Sequence, residues 1–352
     1  MMMMLRRAVF FPFSWAMAWA FATCGNDGSQ FDITTSFGTK SLYKHPPMPP
    51  IPATTGDDSC APVFVYALVR HGTRAPSKST IKRLAKLQRQ VEHHAAAGAD
   101  DEQLLPALAT WRCPVSREDT GMLLDIGSRE LFELGRRTRA AFPDLLAPAY
   151  HPSVYNFRSS EIPRASMSGN AFAAGLFYGT RHGSLAEFGV HPVAIPSTGA
   201  AADRELRFHK LCARYKREVK KNSTLALDGE FVKFKRRHFP EIARGIAANS
   251  HWLRVFPGWT NVTAEDVLTF WEACRFETAW LRSSKRDANL LSPWCALFTS
   301  LDAEVLEMYG DLETHALKGH ANARQTIAAP LLPYLGTFFS FFPFSNPPRC
   351  YT

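Results

Sequence analysis

The chain has 352 residues, 46% of them apolar, enough length and apolar content for a sizeable packed core, which excludes a wholly disordered polypeptide. Lys plus Arg number 41 against 32 Asp plus Glu, a net charge of +9 that favours anionic partners. Nucleic acid, acidic membrane and phosphorylated metabolites all fit that sign.

Arg6 and Arg7 precede the apolar run Ala8–Ala22, which Pro12 interrupts and which ends in the A-x-A pattern Ala20-Phe21-Ala22. This combination predicts a signal peptide over 1–22 rather than a membrane-spanning helix. Residues 23–59, with the stretch "HPPMPPIP", have little periodicity and predict an extended leader. "APVFVYALV", 61–69, is a continuous apolar run of strand length and predicts a central parallel strand covered on both faces. Past Pro76, Ile81, Leu84, Leu87 and Val91 recur at spacings of three and four, an amphipathic helix. Residues 125–146 predict a helix stopped near Pro143, 154–160 a second strand, and "SMSGNAFAAGLF" a further helix.

Residues 181–290 are mainly helical in pattern and predict a helical subdomain inserted into an α/β core made of 60–180 and 291–336, with 337–352 an irregular tail. The expected class is α/β, a central mostly parallel sheet flanked by helices. The basic stretches "RYKREVKK" and "KFKRRH" lack a recognition motif and read as solvated faces, so nucleic acid is not expected as a partner. The histidines show no metal-ligand spacing, and neither metal nor cofactor is expected. The sequons at Asn222 and Asn261, with seven cysteines, point to a disulfide-bonded glycoprotein of the secretory pathway, secreted or in the endoplasmic reticulum lumen. Neither disulfide connectivity nor oligomeric state is legible.

The chemistry concentrates in "RHGTRAP", 70–76, where the predicted strand gives way to the helix. Ligands of open α/β sheets bind at the carboxyl ends of strands. Arg forks such as Arg70 and Arg74 bind phosphoryl oxygens bidentately and neutralise the charge that repels a nucleophile. An imidazole between them, His71, has the chemistry to attack phosphorus, and Gly72 removes side-chain bulk beside it.

R-H-G-x-R-x-P after an apolar strand resembles the signature of the histidine acid phosphatases, a branch of the histidine phosphatase superfamily. "FRSSEIPRASMSGNAFAAGLF", 157–177, resembles the family segment that brings in a further arginine, and Arg164 stands at its position. "FGTKSLY", "LRFHKLCARY", "KNSTLAL" and "SPWCALF" are similar to the multiple inositol polyphosphate phosphatase branch. The resemblance implies hydrolysis of phosphomonoesters on an inositol ring through a phosphohistidine at His71, with Arg70, Arg74 and Arg164 binding phosphate. Lys78 is a candidate for peripheral phosphates; for Lys82 and Lys86 a solvated helix face is the favoured reading. Arg158 reads either as a helper or as a surface residue.

The family's second signature, H-A-E, carries a phosphate-binding histidine and the acid that protonates the leaving group. Only His320-Ala321-Asn322 offers a match here, and Asn322 has no acidic proton to give. The segment also lies closer to "SPWC" than the family's spacing implies, which leaves the general acid unassigned.

Overall fold

The computed structural model describes residues 31–43, 64–95, 106–180 and 191–318. The predicted signal peptide, most of the leader, and everything from residue 319 on, His320, Asn322 and the irregular tail included, lie outside the described residues.

Six long helices carry the fold: α1 (Lys78–His94), α2 (Asp125–Ala141), α3 (Pro163–Leu176), α4 (Glu230–Ala248), α5 (Ala264–Ser284) and α6 (Ser300–Lys318). Each boundary has a local cause. The Ser77 hydroxyl accepts from Thr80 N at 3.4 Å and caps α1, whose buried stripe is Thr80, Ile81, Leu84, Leu87 and Val91. Pro163 starts α3, a position where its missing N–H costs nothing. Thr263 and Asp266 form a reciprocal capping box on α5.

The three helices expected after 76, 125 and 166 form within a few residues of their expected limits. The strands do not. Residues 64–70 adopt no regular strand, and Phe64 and Leu68 are 57% and 62% exposed. The second predicted strand shrinks to β1 (Ser159–Ser160), paired in parallel with β2 (Ser197–Thr198). A strand is made by hydrogen bonds to a neighbouring strand, which an apolar run does not itself supply. Among the described residues β1 and β2 form the one sheet, beside a single antiparallel bridge between Arg74 and Leu123, so the molecule is helix-rich with a small parallel sheet.

The main core is aromatic. Trp252, Trp271 and Trp294 are fully buried together with Phe239, Phe256 and Phe270. This cluster draws on α1, α4, α5 and α6 at once, so helices from the 181–290 segment share a core with the remainder of the chain. A disulfide, Cys274–Cys295, ties α5 to the helical turn Pro293–Leu297, with Cα atoms 4.8 Å apart. Beside it the buried Glu277 carboxylate accepts from Trp111 Nε1 at 3.0 Å and from the Ser292 hydroxyl at 2.6 Å, while burial pushes its pKa up. Of the two sequon asparagines, Asn261 is exposed, whereas Asn222 caps a helical turn and donates through Nδ2 to the Glu218 carbonyl at 3.0 Å.

What positions the 70–76 loop is the pair α2 and α3. Gly135 and Gly175 let these helices meet backbone to backbone: a Cβ on Gly175 would lie 1.9 Å from the Phe132 carbonyl oxygen, and one on Gly135 2.1 Å from that of Phe172. Arg139 locks the far end, donating to the Leu176, Leu146 and Ala147 carbonyls at 2.6, 2.8 and 2.9 Å.

Candidate active site

The loop from His71 to Pro76 lies along the segment that leads into α2. Ala75 N donates to Met122 O at 2.9 Å, Leu124 N to Thr73 O at 3.0 Å, and Gly121 N to Pro76 O at 2.9 Å. The contact at Gly72 and Gly127 is closer still, since a Cβ on Gly72 would sit 2.2 Å from the Gly127 carbonyl oxygen. Two buried side chains fix the loop from the helices. Glu130 of α2 accepts from Thr73 N and from the Thr73 hydroxyl, both at 2.8 Å, and Ser168 of α3 accepts from Gly72 N at 3.1 Å. A carboxylate on a stripe with Gly127, Leu131 and Gly135 is the sequence signal for Glu130, a residue the motif reading passed over.

His71 Nδ1 lies 2.9 Å from the Gly72 carbonyl oxygen. A carbonyl oxygen only accepts, so Nδ1 carries the hydrogen in the neutral ring and the lone pair is on Nε2. Burial lowers the His71 pKa below its ordinary 6.5, and the charges of Arg164, Arg70 and Arg74 add to the effect, partly opposed by the Gly72 hydrogen bond. All three arginines expected from the sequence thus act on the imidazole, although they come from the loop and from the first turn of α3.

Burial and then neighbouring arginines also depress Arg74 and Arg164. Arg74 Nη1 donates to the Ala75 carbonyl at 2.7 Å, but the buried Nε atoms of Arg74 and Arg164 have no hydrogen-bond partner among the described residues. An anion's oxygens satisfy such donors and relieve the mutual repulsion of the cations. Arg207 is the neighbour with the largest effect on Arg164, and it is anchored by Glu161 at 3.1 Å. Arg207 lies in "LRFHKLCARY", a stretch similar to the inositol polyphosphate phosphatase branch in which no motif position marks it.

The other candidates separate. Lys78 opens α1, exposed at the edge of the loop. Arg158 is absent from the charges that act on His71, and its guanidinium reaches both Glu205 carboxylate oxygens at 3.0 and 2.8 Å. No cluster of three or more His, Cys, Asp or Glu side chains suited to a metal ion occurs among the described residues, and no described helix is long and apolar enough to cross a membrane.

Residues 63–335 match the family model described as the histidine phosphatase superfamily, branch 2. The chain is 29% identical over 294 residues to multiple inositol polyphosphate phosphatase 1 of Gallus gallus, covering 81% of this chain and 59% of that protein. Its counterpart in Homo sapiens is 27% identical over 82% of this chain and 58% of its own length. Phytase A of Aspergillus oryzae is 28% identical over 69% of this chain and 47% of that protein. The chain therefore spans less than two thirds of the length of these relatives. Among solved structures the phytase from D. castellii shares the fold, with a TM-score of 0.52 at 17% identity, over 78% of this chain and 55% of that one.

Proposed function

Because the chain belongs to branch 2 of the histidine phosphatase superfamily, we propose that it is a phosphomonoester hydrolase that removes phosphate from inositol polyphosphates through a phosphohistidine. The observation that carries this reading is the His71 imidazole, bonded through Nδ1 to the Gly72 carbonyl and lying in the field of the Arg70, Arg74 and Arg164 charges. Nε2 attacks phosphorus, the ester P–O bond breaks, and the alkoxide leaves with a proton from an acid. Water then attacks the phosphohistidine, releasing inorganic phosphate and restoring the neutral imidazole. The three arginines hold the equatorial oxygens in both steps. Lys78 reaches a peripheral phosphate; Arg158 is left out of this set because Glu205 engages it.

In this reading the α/β core is 60–180 with 291–336, its sheet mostly parallel, and 181–290 is a helical insertion that shares the core. A signal peptide over 1–22 directs the chain to the secretory pathway, with Asn261 the better glycan acceptor.

A second reading, a phosphate-binding relative without turnover, is favoured by one observation: among the described residues every charged group that shifts His71 is an arginine, and no carboxylate is among them. General acid catalysis contributes about 10²- to 10⁴-fold, so a site without it binds far better than it turns over. Release of inorganic phosphate from inositol hexakisphosphate and from para-nitrophenyl phosphate by the full chain separates the readings. The phosphatase reading expects the larger kcat/KM for the hexakisphosphate. Equal values point to a broad acid phosphatase, and tight binding without release to the second reading.

The pH profile is a further test. Attack requires neutral His71, and its pKa lies below 6.5, so the acid limb of kcat/KM falls below that value. Arg164→Gln removes the largest of the charges that lower it, and the limb is expected to move to higher pH. An unmoved limb would assign it to another group.

A further inference from the structure

We infer that the basic concavity along α1 is a second anion site, which takes a phosphate group at a place separate from the one held against His71. The inference rests on the phosphatase reading only for the polyphosphate expected to bring that group.

A cavity of about 320 Å³ is lined by Lys78, Ile81, Lys82, Ala85 and Arg89 of α1 and by Arg117 from the turn ahead of α2. Lys78, Lys82, Ala85 and Arg89 fall at spacings of four, three and four, one face of the helix with Ile81 beside it, so Lys82 turns into the cavity and Lys86 does not. At about 1.5 Å per residue Arg89 is roughly 16 Å along the axis from Lys78. Only the near end of the cavity adjoins the 70–76 loop. The far end, at Arg89, is three turns away.

The concavity has a structural cause. Thr120 N and its hydroxyl donate to the Arg117 carbonyl at 3.2 and 2.6 Å, and Gly121 N donates to Pro76 O at 2.9 Å, which pins the turn against the start of α1. The small Ala85 side chain leaves the space open beneath, and the aliphatic stems of the lysines and arginines form the walls.

The charges are unbalanced. None of Lys78, Lys82, Arg89 and Arg117 forms an ion pair among the described residues. Of the nearby acids, Asp119 accepts from Ser116 N and its hydroxyl, both at 2.9 Å, and Glu92 faces Arg112 at 3.6 Å; Glu118, exposed and bonded to Ser116, is the one whose charge meets that of Arg117, without an ion pair between them among the described residues. A solvated helix face normally intersperses acids with its bases, whereas here two guanidinium forks from different elements converge on one space. That arrangement matches the oxygens of a phosphate group.

Calorimetric titration of the full chain with inositol hexakisphosphate tests the site. Arg89→Gln combined with Arg117→Gln is expected to weaken binding about tenfold or more, and Arg89→Lys with Arg117→Lys to recover most of the loss. A wild-type stoichiometry of one identifies a peripheral phosphate of a ligand also held at His71; two, falling to one in the glutamine variant, identifies a separately bound ion. Unchanged affinity and stoichiometry in that variant would overturn the inference. Inorganic phosphate titrated into the glutamine variant, which lacks the second site, reads the His71 site: if it does not bind there, the phosphatase reading fails, while the hexakisphosphate comparison still decides the second site.

Discussion

His71→Ala is expected to reduce phosphate release from inositol hexakisphosphate to the background rate while the chain stays folded and retains the ligand. The imidazole forms and breaks the bond to phosphorus, so no neighbouring group can substitute for it in a double displacement. Its removal also takes away a half-buried ring that the arginines repel when it is protonated, so binding of the anion survives. Arg164→Ala separates the roles: deleting one preorganised donor costs about 10²- to 10³-fold in kcat where the donor acts on the transition state. Rapid-quench trapping of a phosphorylated chain in the wild type, absent from His71→Ala, is the decisive measurement. A His71→Ala chain that still releases phosphate at the wild-type rate removes His71 from the reaction.

Gly175→Ala is expected to destabilise the fold and, with it, the site. Alanine in place of glycine gains up to about 1 kcal/mol of helix propensity. Against that gain stands a Cβ 1.9 Å from a backbone oxygen, a contact that no rotamer change relieves, so α2 and α3 must separate. Overpacking of this kind costs about 1–3 kcal/mol, which outweighs the propensity term. The consequence reaches the loop, because Glu130 on α2 and Ser168 on α3 hold its adjacent residues Thr73 and Gly72. Chemical denaturation should show a lower midpoint, and the remaining folded protein a weakened affinity for inorganic phosphate. Gly245→Ala, on the open face of α4, is the matched control: nothing lies within 4 Å of its Cβ, and it should be neutral or stabilising.

The candidate site was more legible than the sheet. "RHGTRAP" was readable because the chemistry of phosphate demands particular side chains at short spacing, and Arg164 through the resemblance of 157–177 to a family segment; the helix that presents it starts at Pro163, ahead of the expected 166. Glu130, Ser168 and Arg207 were not singled out, since each acts through a partner 40 or more residues away in the chain, a separation that periodicity does not encode. The strand expected at 61–69 is absent over the described residues 64–69 for the same reason: its apolar pattern states a wish for cover, and only pairing partners make a strand.

By itself the sequence determined the long helices, through stripes at spacings of three and four and through capping residues, and it determined the charge and chemistry of the phosphate loop. Only the tertiary structure decided that two glycine pairs bring α2, α3 and the loop to backbone contact, that Cys274 pairs with Cys295, and that Arg89 and Arg117 face one cavity. The physical reason is range. Propensities, caps and amphipathic periods act within a few residues, whereas close approach, disulfide pairing and converging charge depend on which distant segments the packed core brings side by side.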